Sequence, residues 1–302
     1  MATQKNRHRF ASKRLGYCML VPALALIGLT QIYPFLYGVL MSVTDYNLLR
    51  PKNTSFIGLG NFVELFTSDK TFYATLWFTF AYAVSIVVFS YLVGLLTAVL
   101  LNKKLRGRSL YRTIILLPWV IAPMVMATNW LWLLKDQFGL VNRVLVRLGI
   151  VQEPILFLAT KPMARVTVIL VGVWKNIPFM TITLLAGMQS INADLYEAAR
   201  IDGASSFALF RKIKLPLLMP TVLMASIVTM IGSMRVFDTI KLMTEGGPEG
   251  STLVLVYYVY YQGFRAYKSG YASAIAVILF LIMLGMTLLQ WLARRKVSHY
   301  EE

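Results

Sequence analysis

Polar side chains inside long apolar segments are the first residues of this sequence that could do chemistry. Such groups are costly in lipid, so they usually face water or a bundle interior and mark a path for ions or solutes. One group lies in the run Trp174-Lys175-Asn176-Ile177-Pro178-Phe179, a second lies between Thr229 and Asp238, and Asn129 is a single polar residue of another apolar segment. The second group also contains Ser233 and Arg235.

A structural interpretation stays open for the charged members of both groups. Arg235 and Asp238 are three residues apart, so on one helix they can pair and neutralise each other. Lys175 can extend its ammonium to the outer membrane interface or pair with an acidic group of a partner chain. In either case these residues support a helix rather than bind a solute.

A polar loop, residues 192–216, joins two of the apolar segments. Asn192 or Asp194 can cap a short helix, and the alanines that follow favour helix and leave only small side chains on one of its faces. Gly203 then permits a sharp turn. The segment predicts a short helix, a turn and a second amphipathic piece.

Two aromatic residues of this loop, Phe207 and Phe210, can anchor in a pocket of another protein. The small alanine side chains also allow the backbone of a partner protein to approach closely. The loop therefore suits a groove on a second protein. The alternative from physics alone is an interfacial helix that only connects two membrane spans.

Metal, disulfide and nucleotide chemistry have no support in the sequence. Cys18 is the single cysteine, and the two histidines, His8 and His299, lie near opposite termini. No Gly-x-x-x-x-Gly-Lys-Ser/Thr loop is present to hold ATP phosphates. We therefore expect no metal and no cofactor on this chain.

Composition indicates an all-α integral membrane protein. Of 302 residues, 58% are hydrophobic and 14% are charged, and the apolar residues recur along the whole chain. A helix of about 20 apolar residues crosses a bilayer. Six segments satisfy this length and predict six transmembrane helices. They are residues 15–42, 72–101, 113–134, 166–190, 215–240 and 271–293.

The basic residues set the predicted orientation. The net charge of +17 is explained by membrane topology rather than by nucleic-acid binding, because these residues flank apolar spans. With both termini in the cytoplasm, inside segments hold 17 Lys and Arg and outside segments hold 11. Residues 1–14 and 294–302 are then cytoplasmic tails. The run from Leu15 is too long for a cleaved signal peptide, so we expect a retained first span.

The loop carries a recognisable spacing. Glu197-Ala198-Ala199, then Gly203, then Ile213-Lys214-Leu215-Pro216 resembles the EAA loop of binding-protein-dependent ABC importer permeases. In that family the loop is a coupling helix that docks on a cytoplasmic ATPase. The resemblance implies a type I importer permease fold for residues 15–293 in a prokaryotic plasma membrane. The implied docking residues are Glu197, Ala198, Ala199, Asp202, Gly203, Phe207 and Phe210.

Further motifs resemble the maltose-type carbohydrate permeases: Tyr33-Pro34, Leu59-Gly60-Asn61-Phe62, Asp202-Gly203-Ala204 and Gly246-Gly247-Pro248. The resemblance implies a sugar as the solute. Aromatic rings stack on sugars, and amide, hydroxyl and charged groups hydrogen-bond to them. The implied pathway residues are Lys175, Asn176, Phe179, Thr229 and Ser233, with Arg235 and Asp238 nearby.

The same resemblance implies the partners. They are a second homologous permease forming a heterodimer, two ATPase subunits that hold ATP and Mg, and an extracytoplasmic solute-binding protein. An ion-coupled secondary transporter is the alternative, although only Asp238 offers a coupling carboxylate within a predicted span. An enzyme would need a catalytic constellation, and the histidines lie outside the spans.

Overall fold

The computed structural model describes residues 19–103 and 106–298, and these form helices joined by loops. The predicted segment 1–14, Cys18, His8 and His299 lie outside the described residues. The helices, numbered in chain order, are α1 (Met19–Ser42), α2 (Gly60–Thr67), α3 (Lys70–Leu101), α4 (Arg108–Val120), α5 (Pro123–Leu133), α6 (Leu140–Arg147), α7 (Lys161–Ser190), α8 (Ala193–Ile201), α9 (Ser206–Met234), α10 (Asp238–Met243), α11 (Leu255–Tyr260) and α12 (Ser269–Ser298).

By length and composition, α1, α3, α7, α9 and α12 can each cross a membrane, and α4 with α5 adds a sixth crossing if the bent pair is one span. The chain forms two compact units. Of the described residues, one unit contains 19–68 and 259–278, and the other contains 69–103, 106–258 and 279–298.

In the first unit, loops after α1 are tied together by backbone hydrogen bonds. The Leu48 amide donates to the Tyr267 carbonyl at 3.0 Å, and the Gly270 amide donates to the Tyr46 carbonyl at 2.9 Å. Asn61 at the start of α2 donates to the carbonyls of Ser42 and Thr44. The bonds fix the end of α1.

In the second unit, α3 and α7 form the central helix pair, and α9 packs on both. Gly94 makes the close approach possible, because a Cβ there would lie 2.8 Å from Cγ of Met180. The hydroxyls of Thr97 and Thr181 share a hydrogen bond of 2.6 Å between the two helices. Buried apolar residues of α3, α7 and α9 form one core cluster around this contact.

The third predicted span, residues 113–134, differs from the sequence prediction of one helix. α4 and α5 are separated by a bend of 96°. Pro123 begins α5, and Ala122 before it is extended with ψ of 137°. A residue before proline disfavours the helical region, because the ring crowds its backbone. The helix therefore stops at Val120.

The fifth predicted span, residues 215–240, also ends earlier than expected. α9 ends at Met234, and Asp238 begins the separate short helix α10. Arg235 and Asp238 therefore do not share one helix. The side-chain contact expected for two residues three positions apart on one helix therefore does not apply to them.

Candidate functional site

A cavity of about 280 Å³ lies among α3, α5, α7 and the link from α9 to α10. Its wall includes five residues that the sequence singled out: Lys175, Asn176, Ser233, Arg235 and Asp238. The two polar groups that are distant in sequence therefore meet at one cavity. This is the geometry expected of a solute path.

Two of the predicted pathway residues lie outside that lining. The Phe179 ring stacks on Trp119 with 6.5 Å between centroids and 29° between planes. Thr229 is buried, and its hydroxyl has no hydrogen-bond partner among the described residues. Neither residue is part of the cavity wall.

Sequence reasoning missed several wall residues of α3 and α7. Tyr82 is 1% exposed, and together with Ile86 it faces Gly172 across the cavity edge. A tyrosine within an apolar span was a signal that could have identified it, because a buried hydroxyl needs a partner. The remaining missed wall residues are Pro123, Met126, Gly232, Val236, Phe237 and Thr239.

The Lys175 ammonium lies beside the break between α4 and α5. It donates to the carbonyls of Pro118 at 2.9 Å, Trp119 at 3.1 Å and Ile121 at 2.5 Å. The helix C-terminus offers carbonyls and partial negative charge, which a cation complements. The amine therefore caps a helix of its own chain.

The neighbouring polar groups keep bonding capacity toward the cavity. The Asn176 amide nitrogen donates to the Gly172 carbonyl at 2.8 Å. Its oxygen has no hydrogen bond among the described residues. The Ser233 hydroxyl is buried and also lacks a partner among them. These two groups can accept or donate hydrogen bonds to a molecule in the cavity.

Arg235 and Asp238 supply opposite charges to the same wall. In the described part of the chain, no ion pair joins Arg235 to Asp238. The alternative interpretation, that the two residues neutralise each other on one helix, is therefore wrong. Both charged groups remain available to the cavity.

The loop at residues 192–216 has the predicted helix and turn. Asn192 caps α8 by accepting from the Asp194 amide at 3.0 Å. After α8 the Gly203 amide donates to the Arg200 carbonyl, and the Ala204 amide donates to the Ala199 carbonyl. This is a Schellman cap, which requires positive φ at its glycine. Gly203 has φ of +81°.

Most of the predicted docking residues are exposed. Glu197, Ala198, Asp202, Gly203 and Phe207 lie on the surface, whereas Ala199 and Phe210 are half-buried. Phe207 is 70% exposed, and Ile201 at the end of α8 is 82% exposed. Sequence reasoning missed Ile201. Ile201 lies between Arg200 and Asp202, just before a turn, and an apolar side chain among charged residues indicates a contact with another protein.

A cleft of about 760 Å³ lies behind this loop and is lined by Asn102, Glu197, Arg200 and other residues of α8 and α9. Tyr196 is part of its wall, and the Lys214 ammonium lies 5.2 Å from the Tyr196 ring centroid. Burial raises the pKa of the Tyr196 hydroxyl. That hydroxyl is buried without a hydrogen-bond partner among the described residues.

The family described as "Binding-protein-dependent transport system inner membrane component" matches residues 90–298, which include the loop and every cavity-wall residue except Tyr82 and Ile86. The chain belongs to this family. As a member of it, the protein is a membrane-embedded permease component of an ABC transporter, a transport subunit rather than an enzyme. Within the described residues no cluster of His, Cys, Asp and Glu could hold a metal ion.

Curated relatives of this permease match over nearly its full length. The trehalose/maltose transport system permease protein MalF of Thermococcus litoralis is 36% identical over 289 residues, covering 95% of each chain. The sn-glycerol-3-phosphate transport system permease protein UgpA of Yersinia pestis is 31% identical, covering 97% of this chain and 99% of the relative.

Solved structures support the type I importer permease fold. A chain of a bacterial alginate ABC transporter, in complex with a periplasmic protein that holds an alginate pentasaccharide, superposes with a TM-score of 0.82 at 24% identity. The match covers 96% of this permease and 98% of that chain. A chain of the MetNI methionine ABC transporter gives a TM-score of 0.52 at 23% identity, covering 74% and 94%.

Proposed function

We propose that this permease imports a sugar, forms half of the translocation pathway, and couples to a cytoplasmic ATPase through residues 192–216. Both termini and this loop face the cytoplasm in the proposed orientation, in agreement with the distribution of Lys and Arg. The exposed apolar pair Ile201 and Phe207 is the observation that carries the docking proposal.

Ile201 and Phe207 lie on either side of the turn at Gly203, close in sequence to the EAA residues, and both are exposed. Large exposed apolar side chains at the ends of short helices are typical anchors for a partner pocket. Ala198 leaves room beside them for a partner backbone. Glu197 and Asp202 add negative charge at the edge of this surface. Charges at the edge of an interface affect the orientation of the partner more than its affinity.

α9 supplies a continuous mechanical link from the docking loop to the cavity. Phe207 is in its first turn and Ser233 is in its last. Its 29 residues span roughly 40 Å at 1.5 Å per residue. Closure of the ATPases on the loop would displace one end of α9, and the cavity wall at the other end would move with it. This is the alternating-access step that we propose.

A sugar fits the chemistry of the cavity wall. Asn176 and Ser233 offer unsatisfied hydrogen-bonding atoms, and Tyr82 offers an aromatic ring and a hydroxyl. Arg235 and Asp238 can bond to sugar hydroxyls as charged groups. The trehalose/maltose system named for MalF of Thermococcus litoralis supports the same class of solute.

Membership of the family supports the proposed partners. A cavity of about 280 Å³ is slightly smaller than typical ligand pockets, which are about 300–1,000 Å³. A second, homologous permease would complete it as a heterodimer. Two ATPase subunits would bind ATP and Mg, since this chain has no phosphate-binding loop. A solute-binding protein would deliver the sugar from outside.

The docking proposal is tested with Ile201→Ser and Phe207→Ser. Each substitution removes an exposed anchor, and interface anchors contribute about 2 kcal/mol or more. We expect a loss of about 30-fold in affinity for the ATPase subunit, measured by its retention on the purified permease. Phe138→Ser is the matched control, because Phe138 is 66% exposed on the loop between α5 and α6. Equal retention in all three variants would refute docking at this loop.

The sugar proposal is tested by uptake into proteoliposomes that contain the complete transporter. Asn176→Ala should raise the KM for a transported disaccharide by about tenfold, as loss of one hydrogen bond predicts. Asn129→Ala is the control, because Asn129 is an exposed residue of α5 outside the cavity wall. An unchanged KM for Asn176→Ala would remove this cavity from the sugar path.

A further inference from the structure

The segment Trp174 to Phe179 contacts both halves of the broken span. Trp174 meets Trp130 of α5 edge to face, with 5.4 Å between centroids. Phe179 stacks on Trp119 of α4. The Lys175 ammonium lies between these contacts, at the break itself. A single stretch of α7 therefore contacts α4, the break and α5.

The carbonyls that Lys175 binds are those that the break deprives of helical partners. In a continuous helix, the amides of residues 122 and 123 would donate to Pro118 and Trp119. Ala122 is extended and Pro123 has no N–H, so neither bond forms. The Ile121 carbonyl lies between the two helices. Carbonyls without a donor are strongly unfavourable wherever lipid or protein excludes water.

The ammonium matches these acceptors in number. A lysine side chain has three N–H donors and no acceptor, and Lys175 has three carbonyl partners within 3.1 Å. Its bonding capacity is therefore used within the chain. No donor of Lys175 is left for a solute, although the residue is part of the cavity wall.

We propose that Lys175 is a positioning residue that holds the break between α4 and α5 at the cavity, and that it is not a solute ligand. It acts through the wall residues Pro123 and Met126, which lie at the start of α5. The inference rests on the proposed function only in taking the cavity as the solute path. The ammonium itself holds the bend, whatever the solute.

The bend can be measured directly. Spin labels at Leu110 and Trp132, both exposed residues, report the distance between the far parts of α4 and α5. They are introduced as L110C and W132C with Cys18→Ser, in the complete transporter in lipid nanodiscs. We compare Lys175→Met, which keeps the length of the side chain, with Lys175→Arg, which keeps the cation and its donors.

We expect one narrow distance distribution in the parent and in Lys175→Arg, and a broader, longer one in Lys175→Met. The maximal uptake rate should fall about tenfold in Lys175→Met and recover in Lys175→Arg. Unchanged distances in Lys175→Met would overturn the proposal, and an altered KM in the same variant would make Lys175 a solute ligand. If Lys175→Met does not accumulate, Lys175→Gln is measured instead, and parent-like distances there overturn it as well.

Asn176→Ala separates this inference from the proposed function. It should leave the distance distribution unchanged while it raises the KM for the sugar. A broadened distribution in Lys175→Met together with an unchanged KM in Asn176→Ala would support the role of Lys175 and refute the solute site. Unchanged distances in Lys175→Met together with a raised KM in Asn176→Ala would refute the role of Lys175 and support the solute site.

Discussion

A Cβ atom on Gly172 of α7 would lie 2.7 Å from the hydroxyl oxygen of Tyr82 on α3. It would also lie 2.6 Å from Cδ1 of Ile86. Both neighbours line the cavity and both are almost fully buried. The absence of a side chain at residue 172 therefore sets how closely α7 approaches α3 at the cavity edge.

Gly172→Ala should destabilise the permease and narrow the cavity. Overpacking of this kind costs about 1–3 kcal/mol, which we expect as a lower unfolding temperature and a raised KM for uptake. Tyr82→Phe removes the crowding oxygen, so the double variant should recover part of the stability. Gly232→Ala is the control, because Gly232 lines the same cavity and a Cβ there meets no atom within 4 Å.

The glycine caps of α8 and α6 allow a matched test of ATPase docking. Gly203 and Gly149 both close Schellman caps, with φ of +81° and +67°, and a Cβ at either meets no atom within 4 Å. Gly203→Leu and Gly149→Leu therefore carry the same backbone strain, about 1–2 kcal/mol.

We expect Gly203→Leu to abolish solute-stimulated ATP hydrolysis and Gly149→Leu to retain it, with similar thermal stability in both. The difference arises because a leucine at residue 203 fills the docking surface. Equal ATP hydrolysis in the two variants would mean that residue 203 contributes only a backbone turn.

Hydropathy alone predicted the long helices α3 and α7, because a continuous apolar run in lipid has few alternatives to helix. The glycine at residue 203, which follows a segment that favours helix, likewise predicted a turn there. These features are local: each depends on residues that are near one another in the sequence. The structure has them where the pattern indicates.

The break at residues 121 and 122 could not be predicted in this way. Pro118 and Pro123 are compatible with either a kink or a full break, since prolines occur in membrane helices that stay continuous. The difference depends on Lys175, more than 50 residues further along the chain, which supplies the donors that the break requires. The same lysine, judged by its type alone, resembled a solute ligand.

The sequence also did not predict where α9 ends. No glycine or proline lies between Met234 and Asp238, so nothing in the sequence marks the stop before Arg235. The stop separates Arg235 from Asp238 and leaves both charges at the cavity. Packing of α10 against α5 and α7 determines this geometry.

Asn61 should be needed for the stability of the loops after α1. Its amide nitrogen donates to the Ser42 and Thr44 carbonyls, each at 2.8 Å, and the residue is buried. Asn61→Ala leaves these carbonyls without that donor, which costs about 1–3 kcal/mol for each buried group left unsatisfied. Asn61→Asp should be worse, because a carboxylate would face carbonyl oxygens.

Thermal unfolding of the purified permease measures both variants. Asn53→Ala is the control, because Asn53 is an exposed residue of the neighbouring loop. If Asn61→Ala unfolds at the same temperature as Asn53→Ala, the two hydrogen bonds contribute nothing to stability.

The loop between α1 and α2 should open only in acid. The Ser55 amide and hydroxyl donate to the Asp45 carboxylate at 2.5 and 2.7 Å, and these bonds, led by that of the amide, hold the pKa of Asp45 below its ordinary value. Because the pKa of Asp45 is lower in the closed loop than in the open loop, the ionised carboxylate stabilises the closed loop at pH values above the pKa of the open loop. That stabilisation is lost as the pH falls through the folded pKa.

Ser55→Ala removes the hydroxyl bond and keeps the amide bond, so the pKa of Asp45 should rise toward its ordinary value and the loop should open at a higher pH than in the parent. Hydrogen exchange of the Ser55 amide as a function of pH measures the opening. Asp45→Asn should abolish the pH dependence, because no carboxylate remains to titrate. If the parent and Ser55→Ala open at the same pH, the Ser55 hydroxyl does not stabilise the ionised carboxylate, and the pKa of Asp45 is held down by the backbone alone.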